Sequence, residues 1–261
     1  MAIIRYATLI LKEVIMQTNA KILRKYADAQ KLRPHKPCAK MIEIRGREIR
    51  TSEVDDEIAK VAGGILLKMG QTVELRVDSP TCYTTDLKVH VNFRELPRLV
   101  KPNDLLYIDD GKLVLLVIDC SMEAVICEVK QGGLLGSNKS IKLPAGKHEH
   151  MPVMQIQDQE DLLSMVQSGE LHYVAIPYTV RKRDLTQVKE TLGTAYGAHV
   201  QLLAKIDTVE SIHNFEELIK TADGIVINRV DLGLEMAAEK LMLAQKWMID
   251  RACQEGKPVF V

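Results

Sequence analysis

The stretch TADGIVINRVDLGLEMAAEKLMLAQKW, Thr221 to Trp247, runs from an aliphatic segment, Gly-Ile-Val-Ile, straight into Arg229 and Asp231, then into a glycine and a long helical pattern. A short apolar run bounded by a glycine reads as a buried strand. Charge at the carboxyl end of such a strand is where barrel and open-sheet α/β enzymes place their chemistry, since the loops after those strands share one face. The plainer alternative is that a strand ends where water begins, and only the surrounding chain decides between them. The helical pattern that follows carries a stripe of Ala237, Leu241, Ala244, Met248 and Ala252, and Gly256 with Pro258 stops it before PVFV opens another strand.

Upstream the same strand-then-helix pattern occurs twice more, as LHYVAIPYT with RDLTQVKETLGTAYG and as HVQLLAKID with IHNFEELIKTA. Strands alternating with helices predict βαβ units and a parallel sheet. Between about Thr51 and Ile141 the texture differs: short alternating runs, TVELRV, LLYIDDGKLVLLVI and AVICEV, are broken by Asp-Gly and Gly-Gly turns, which predicts antiparallel β structure with a hairpin at Asp110-Gly111. Before it, CAKMIEIRG reads as a short strand that carries Glu43 and Arg45 near its end. The division expected is therefore residues 1–50 and 142–261 as one α/β domain and residues 51–141 as an inserted β domain.

The chain has 35 basic and 35 acidic side chains, a balance that argues against a dominant nucleic-acid or membrane footprint. Its five cysteines form no CxxC pair and leave one over in any pairing, which fits a reducing, cytoplasmic setting. The apolar amino terminus is interrupted by Lys12 and Glu13, so it is too short and too charged to span a bilayer, and Glu13 and Asp28 are out of character for a mitochondrial presequence. Leu11, Ile15, Thr18, Ile22, Tyr26 and Ala29 instead mark one face of an amphipathic helix. His148-Glu149-His150 sits in a glycine- and lysine-bearing segment and reads as a solvated loop, and Cys120 and Cys127 read as small apolar fillers.

Several segments, in order, resemble pyruvate kinase: IEIRGREIRT, LLYIDDGKLVLLV, GGLLGSNKSIKLPA, LLAKIDT and ADGIVINRVDLGLEMAAEKLMLAQKWMI. The resemblance implies an α/β fold, a partial (β/α)8 TIM barrel with an inserted antiparallel β lid domain. It implies a glycolytic phosphotransferase acting on phosphoenolpyruvate and ADP. Lys205 falls at the family's catalytic lysine, and Asp207 and Asp231 fall at the carboxylates that hold Mg²⁺. Arg229, Val230 and Arg50 fall at substrate-binding positions, Arg229 beside the metal loop and Arg50 at the lid hinge. Glu43 falls in the potassium site.

The departures bear on activity, because phosphoryl transfer rests on positioning and electrostatics. Asp207 replaces a glutamate and is one methylene shorter. Val230 replaces a glycine where backbone amides approach the substrate carboxylate, and a β-branched side chain blocks that approach. Glu43 and Ile44 replace an Asp-Thr pair, so a K⁺ ligand set loses one side-chain oxygen. Gln157 replaces a lysine, and Pro177-Tyr178-Thr179-Val180 replaces a strand end bearing an arginine, with Arg181 one residue out of register. About five of eight barrel strands are accounted for, and two parallel edges are expected to lie open. Three readings follow: a pyruvate kinase of impaired activity, an inactive paralogue that acts by binding a complete relative as a homo- or hetero-oligomer, and a partial gene product.

Overall fold

The computed structural model describes residues 25–32, 35, 39–55, 63–78, 83–143, 151–167, 171–196 and 199–261. The described chain falls into two compact units, one ending at Arg47 and resuming at Met151, the other running from Glu48 to His150. The N-terminal helical stripe is described only over residues 25–32, which are helical; its earlier positions, like His148-Glu149-His150, lie outside the described residues.

The first unit is a five-stranded parallel sheet: β1 (Met41–Glu43), β2 (Tyr173–Ile176), β3 (Gln201–Ile206), β4 (Gly224–Ile227) and β5 (Val259–Phe260), side by side in chain order. The helices between them are α1 (Ile156–Gln167), α2 (Lys182–Tyr196), α3 (Val209–His213), α4 (Phe215–Thr221), α5 (Arg229–Glu235) and α6 (Ala238–Gln254). Sequential parallel strands with helical crossovers are the build of a (β/α)8 barrel, here in part. The registers are continuous, Glu43 opposite Ala175, Ala175 opposite Leu203 and Leu203 opposite Gly224. Period-two alternation sorts the side chains. Ile42, Val174, Ile176, Leu202, Ala204, Ile206, Ile225 and Ile227 face the helices, where Leu185, Phe215, Leu218 and Met248 complete the main core. Met41, Ala175 and Leu203 face the other way and form a smaller cluster with Tyr173, Val226 and Phe260.

Two local features anchor the ends of β1 and β4. After β1 the chain turns at Gly46, whose φ of +55° belongs to the left-handed region, and a Cβ there would lie 2.9 Å from Pro177 Cγ. The buried Asp158 carboxylate accepts the backbone N–H groups of Arg45 at 2.9 Å and of Gly46 and Gln155 at 3.0 Å each, which pins that turn. After β4 the helical pattern is not one helix, as its sequence suggests. Met236 and Ala237 are extended and separate α5 from α6, so Ala237 is exposed and the buried stripe begins at Leu241.

The second unit holds a seven-stranded sheet in the order Ile49–Arg50, Ser140–Lys142, Leu105–Ile108, Leu113–Cys120, Ala124–Gln131, Thr72–Arg76, Lys88–His90. All its pairs are antiparallel except the last, Thr72–Arg76 with Lys88–His90, which is parallel and departs from the all-antiparallel expectation. The hairpin at Asp110-Gly111 forms, with Asp109, Asp110 and Gly111 all at positive φ. Cys127 is fully buried and burial pushes its thiol up to about 12, as suits an apolar filler. No described helix is long and apolar enough to cross a membrane.

Candidate functional site

The alternation that buries Leu203 on the smaller cluster puts Lys205, two residues on, on the same face of β3. By the same rule Glu43, two residues after Met41, shares that face of β1. The two side chains meet: Lys205 Nζ lies 2.6 Å from Glu43 Oε1 and 3.5 Å from Asp207 Oδ1. Burial alone would lower the Lys205 pKa, but the charges of Asp207, Glu43 and Asp231 outweigh it and hold the ammonium above its ordinary value. A lysine in this setting is a fixed positive charge at neutral pH, suited to stabilising an anion and unsuited to acting as a base.

Asp207 follows β3 directly and has no solvent exposure. Its Oδ2 accepts the backbone N–H of Tyr178 at 2.7 Å, and its Oδ1 accepts Asn228 Nδ2 at 2.6 Å. The same Asn228 nitrogen donates to Asp231 Oδ2 at 2.5 Å. Asn228 is also the N-cap of α5, its side-chain oxygen accepting the Asp231 N–H at 3.5 Å. Lys205, Asp207 and Asp231 are therefore gathered at the carboxyl ends of adjacent parallel strands, with an amide between the two aspartates. Asn228 belongs to no motif of the Thr221–Trp247 stretch; its N-cap spacing to Asp231 is the one sign of it that the sequence carries.

The loop after β2 holds Asp207 through the Tyr178 N–H. Tyr178 holds φ of +50°, a conformation that a bulky residue adopts only when its surroundings over-determine it. Arg47 supplies that restraint, donating through Nη1 to Tyr178 O at 2.8 Å and through Nε to Met151 O at 2.9 Å. Its guanidinium also forks onto Asp184, Nη2 to Oδ1 at 2.7 Å and Nη1 to Oδ2 at 2.9 Å. Burial would push the Asp184 carboxyl up, but Arg47 and the N–H groups of Arg181 and Val180 hold it below the usual carboxylate value. Thr179 and Val180 carbonyls are fixed in turn by Ser211 Oγ at 2.7 Å and Asn214 Nδ2 at 3.0 Å.

Arg229 and Val230 stand exposed in the first turn of α5. Arg181 pairs with Glu210 at 3.3 Å, and Gln157 lies in α1. Arg50 belongs to the second unit, where it donates to Glu48 Oε1 at 2.8 Å and to Asn138 O at 2.6 Å.

A divalent cation such as Mg²⁺ is commonly held by one or two carboxylates that offer it free lone pairs. Asp207 and Asp231 are such a pair in kind. In arrangement they do not fit, because the Asn228 amide fills the seam between them, and no group of three or more His, Cys, Asp or Glu among the described residues is placed to hold a metal. The residue beside Glu43, Ile44, is a buried aliphatic that adds no side-chain ligand for K⁺.

Comparison with known proteins bears on what this arrangement does. Residues 15–261 match the family model for the pyruvate kinase barrel domain. The chain is 31% identical over 244 residues to the pyruvate kinase of Eimeria tenella, covering 93% of this chain and 44% of that protein. It is 35% identical over 230 residues to pyruvate kinase PKLR of Rattus norvegicus, covering 86% of this chain and 38% of that one. Among solved structures, Cryptosporidium parvum pyruvate kinase superposes with a TM-score of 0.85 at 27% identity, over 97% of this chain and 52% of that one. The same enzyme in complex with ADP superposes at 0.82, over 97% and 50%. The chain thus spans less than half the length of these curated relatives.

Proposed function

The chain belongs to the pyruvate kinase family, and from that premise we propose that it transfers the phosphoryl group of phosphoenolpyruvate to ADP at an impaired rate. The observation that carries the reading is the buried Lys205 ammonium, held above its ordinary pKa between carboxylates at the ends of adjacent parallel strands. In this reading the phosphorus–oxygen bond of phosphoenolpyruvate breaks, a β-phosphate oxygen of ADP bonds to phosphorus, and the released enolate takes a proton at carbon to give pyruvate. Lys205 offsets negative charge on the phosphoryl oxygens in flight, an electrostatic role that needs no change of its own protonation. Arg229, exposed in the first turn of α5, would hold a substrate anion.

Three features support impairment. The Lys205 charge is already engaged by Glu43 at 2.6 Å, so a phosphoryl group competes with a carboxylate for it. Val230 places a β-branched side chain where the family has a glycine. Mg²⁺ at Asp207 and Asp231 would first have to displace the Asn228 amide. Losses at separate points of one transition state multiply, each about 1.4 kcal/mol being about tenfold in rate. The test is to incubate purified chain with phosphoenolpyruvate and ADP and quantify both products; equal amounts of pyruvate and ATP, formed slowly, are expected, and ATP without pyruvate, or neither product, would overturn the proposal.

The filled seam also favours a second reading, a non-catalytic paralogue that acts by binding a complete relative. Co-elution with such a relative, with no product formed by the chain alone, would select it.

A further inference from the structure

We propose that Asn228 is a built-in competitor of divalent cations: its amide nitrogen bridges Asp207 and Asp231 and holds closed the seam where a metal would otherwise sit. The inference rests on reading that pair as the carboxylates of a phosphotransferase site, and it concerns binding, whether or not turnover survives.

The orientation of the amide follows from its partners. Nδ2 carries two hydrogens and meets two carboxylate oxygens, Asp207 Oδ1 at 2.6 Å and Asp231 Oδ2 at 2.5 Å. Oδ1 accepts the Asp231 backbone N–H. Turning the amide over would set an acceptor against two acceptors and lose the cap, so one orientation satisfies every group. Asp207 is engaged from the other side as well, with Tyr178 N–H on Oδ2 and Lys205 within 3.5 Å of Oδ1.

Charge sharpens the point. Glu43, Asp207 and Asp231 bring three carboxylates and Lys205 one ammonium, so these four side chains carry a formal charge of −2. An amide offers two dipolar N–H groups against that excess and no net charge. A divalent cation would neutralise it outright. The site is thus electrostatically ready for a cation and sterically filled, and one side chain decides which state holds.

The experiment is Mn²⁺ titration of the purified chain, reading free Mn²⁺ by electron paramagnetic resonance. Asn228→Ser keeps an N-cap oxygen but has a single O–H, so it cannot bridge both aspartates; Asn228→Ala removes both the bridge and the cap. Each is expected to bind one Mn²⁺ at least about tenfold more tightly than the unaltered chain, which is about 1.4 kcal/mol. Asp231→Asn added to Asn228→Ser should abolish the gain. Unaltered protein binding Mn²⁺ within about threefold of Asn228→Ser would overturn the proposal, as would a gain that survives loss of Asp231. If loss of the cap unfolds Asn228→Ala, Asn228→Ser decides alone. Because the titration reads no turnover, absence of product formation from phosphoenolpyruvate would sink the proposed activity and leave this result standing.

Discussion

Replacing Arg47 with methionine should destabilise the barrel unit more than any single exposed charge could. Four of the guanidinium's hydrogen bonds are made inside the protein, to Met151 O, Tyr178 O and both Asp184 oxygens, and both ion-pair side chains are 3% exposed. Methionine fills similar volume but leaves Asp184 with only the N–H groups of Val180 and Arg181, at 2.9 and 3.0 Å. Stranding one partner of a buried pair costs about 3–5 kcal/mol. In a unit of this size that is a fall of about 6–20 °C in Tm. Trp247 provides the readout, being the sole tryptophan and packed at a 55° tilt against Phe215, ring centroids 5.2 Å apart, within the same unit. Urea unfolding followed by its fluorescence gives the loss directly. Asp184→Leu should cost a similar amount alone, while the double variant should cost less than the sum by about 1–3 kcal/mol. A loss under about 1 kcal/mol for Arg47→Met, the scale of an exposed pair, would refute the argument.

Three further outcomes follow from the same geometry. Gly46→Ala should lower stability by about 1–3 kcal/mol, since it combines a left-handed backbone with a Cβ only 2.9 Å from Pro177 Cγ; a urea midpoint unchanged from the unaltered chain would count against the close approach. Asp184 has a folded pKa below its unfolded one, so its contribution is present above the ordinary carboxylate value of about 3.9 and is lost as pH falls through the depressed one. Acid unfolding should therefore be shallower in Asp184→Asn, and parallel pH profiles for the two proteins would contradict this. Lys205 has a raised pKa, so its contribution is complete below the ordinary lysine value of about 10.4 and is lost only as pH rises through the folded value. Between about pH 6 and 9 the stability of the unaltered chain and of Lys205→Met should differ by a constant, and a sloping difference would show that Lys205 titrates there.

The strand order was legible because nearly continuous aliphatic runs, each followed by helical periodicity, leave little choice of topology. The gathering of Lys205, Asp207 and Asp231 was legible for the same reason, since successive parallel strands share one end. What escaped was set by contacts far apart in the chain. Arg47 and Asp184 are 137 positions apart, and no local pattern pairs them. The left-handed Tyr178 is imposed by those distant bonds and has no glycine to announce it. The break at Met236-Ala237 is hidden among good helix formers, where packing overrode propensity. Lys205 and Glu43, paired at 2.6 Å, are 162 positions apart and are likewise joined by no local pattern.

The most direct test of the account is the rate of ATP formation from phosphoenolpyruvate and ADP by the purified chain beside its Lys205→Met variant. Impaired phosphoryl transfer at Lys205 predicts turnover well below about 1 per second, and its disappearance in the variant. Turnover in the ordinary kinase range of about 1–100 per second, or a slow rate that Lys205→Met leaves intact, would contradict it.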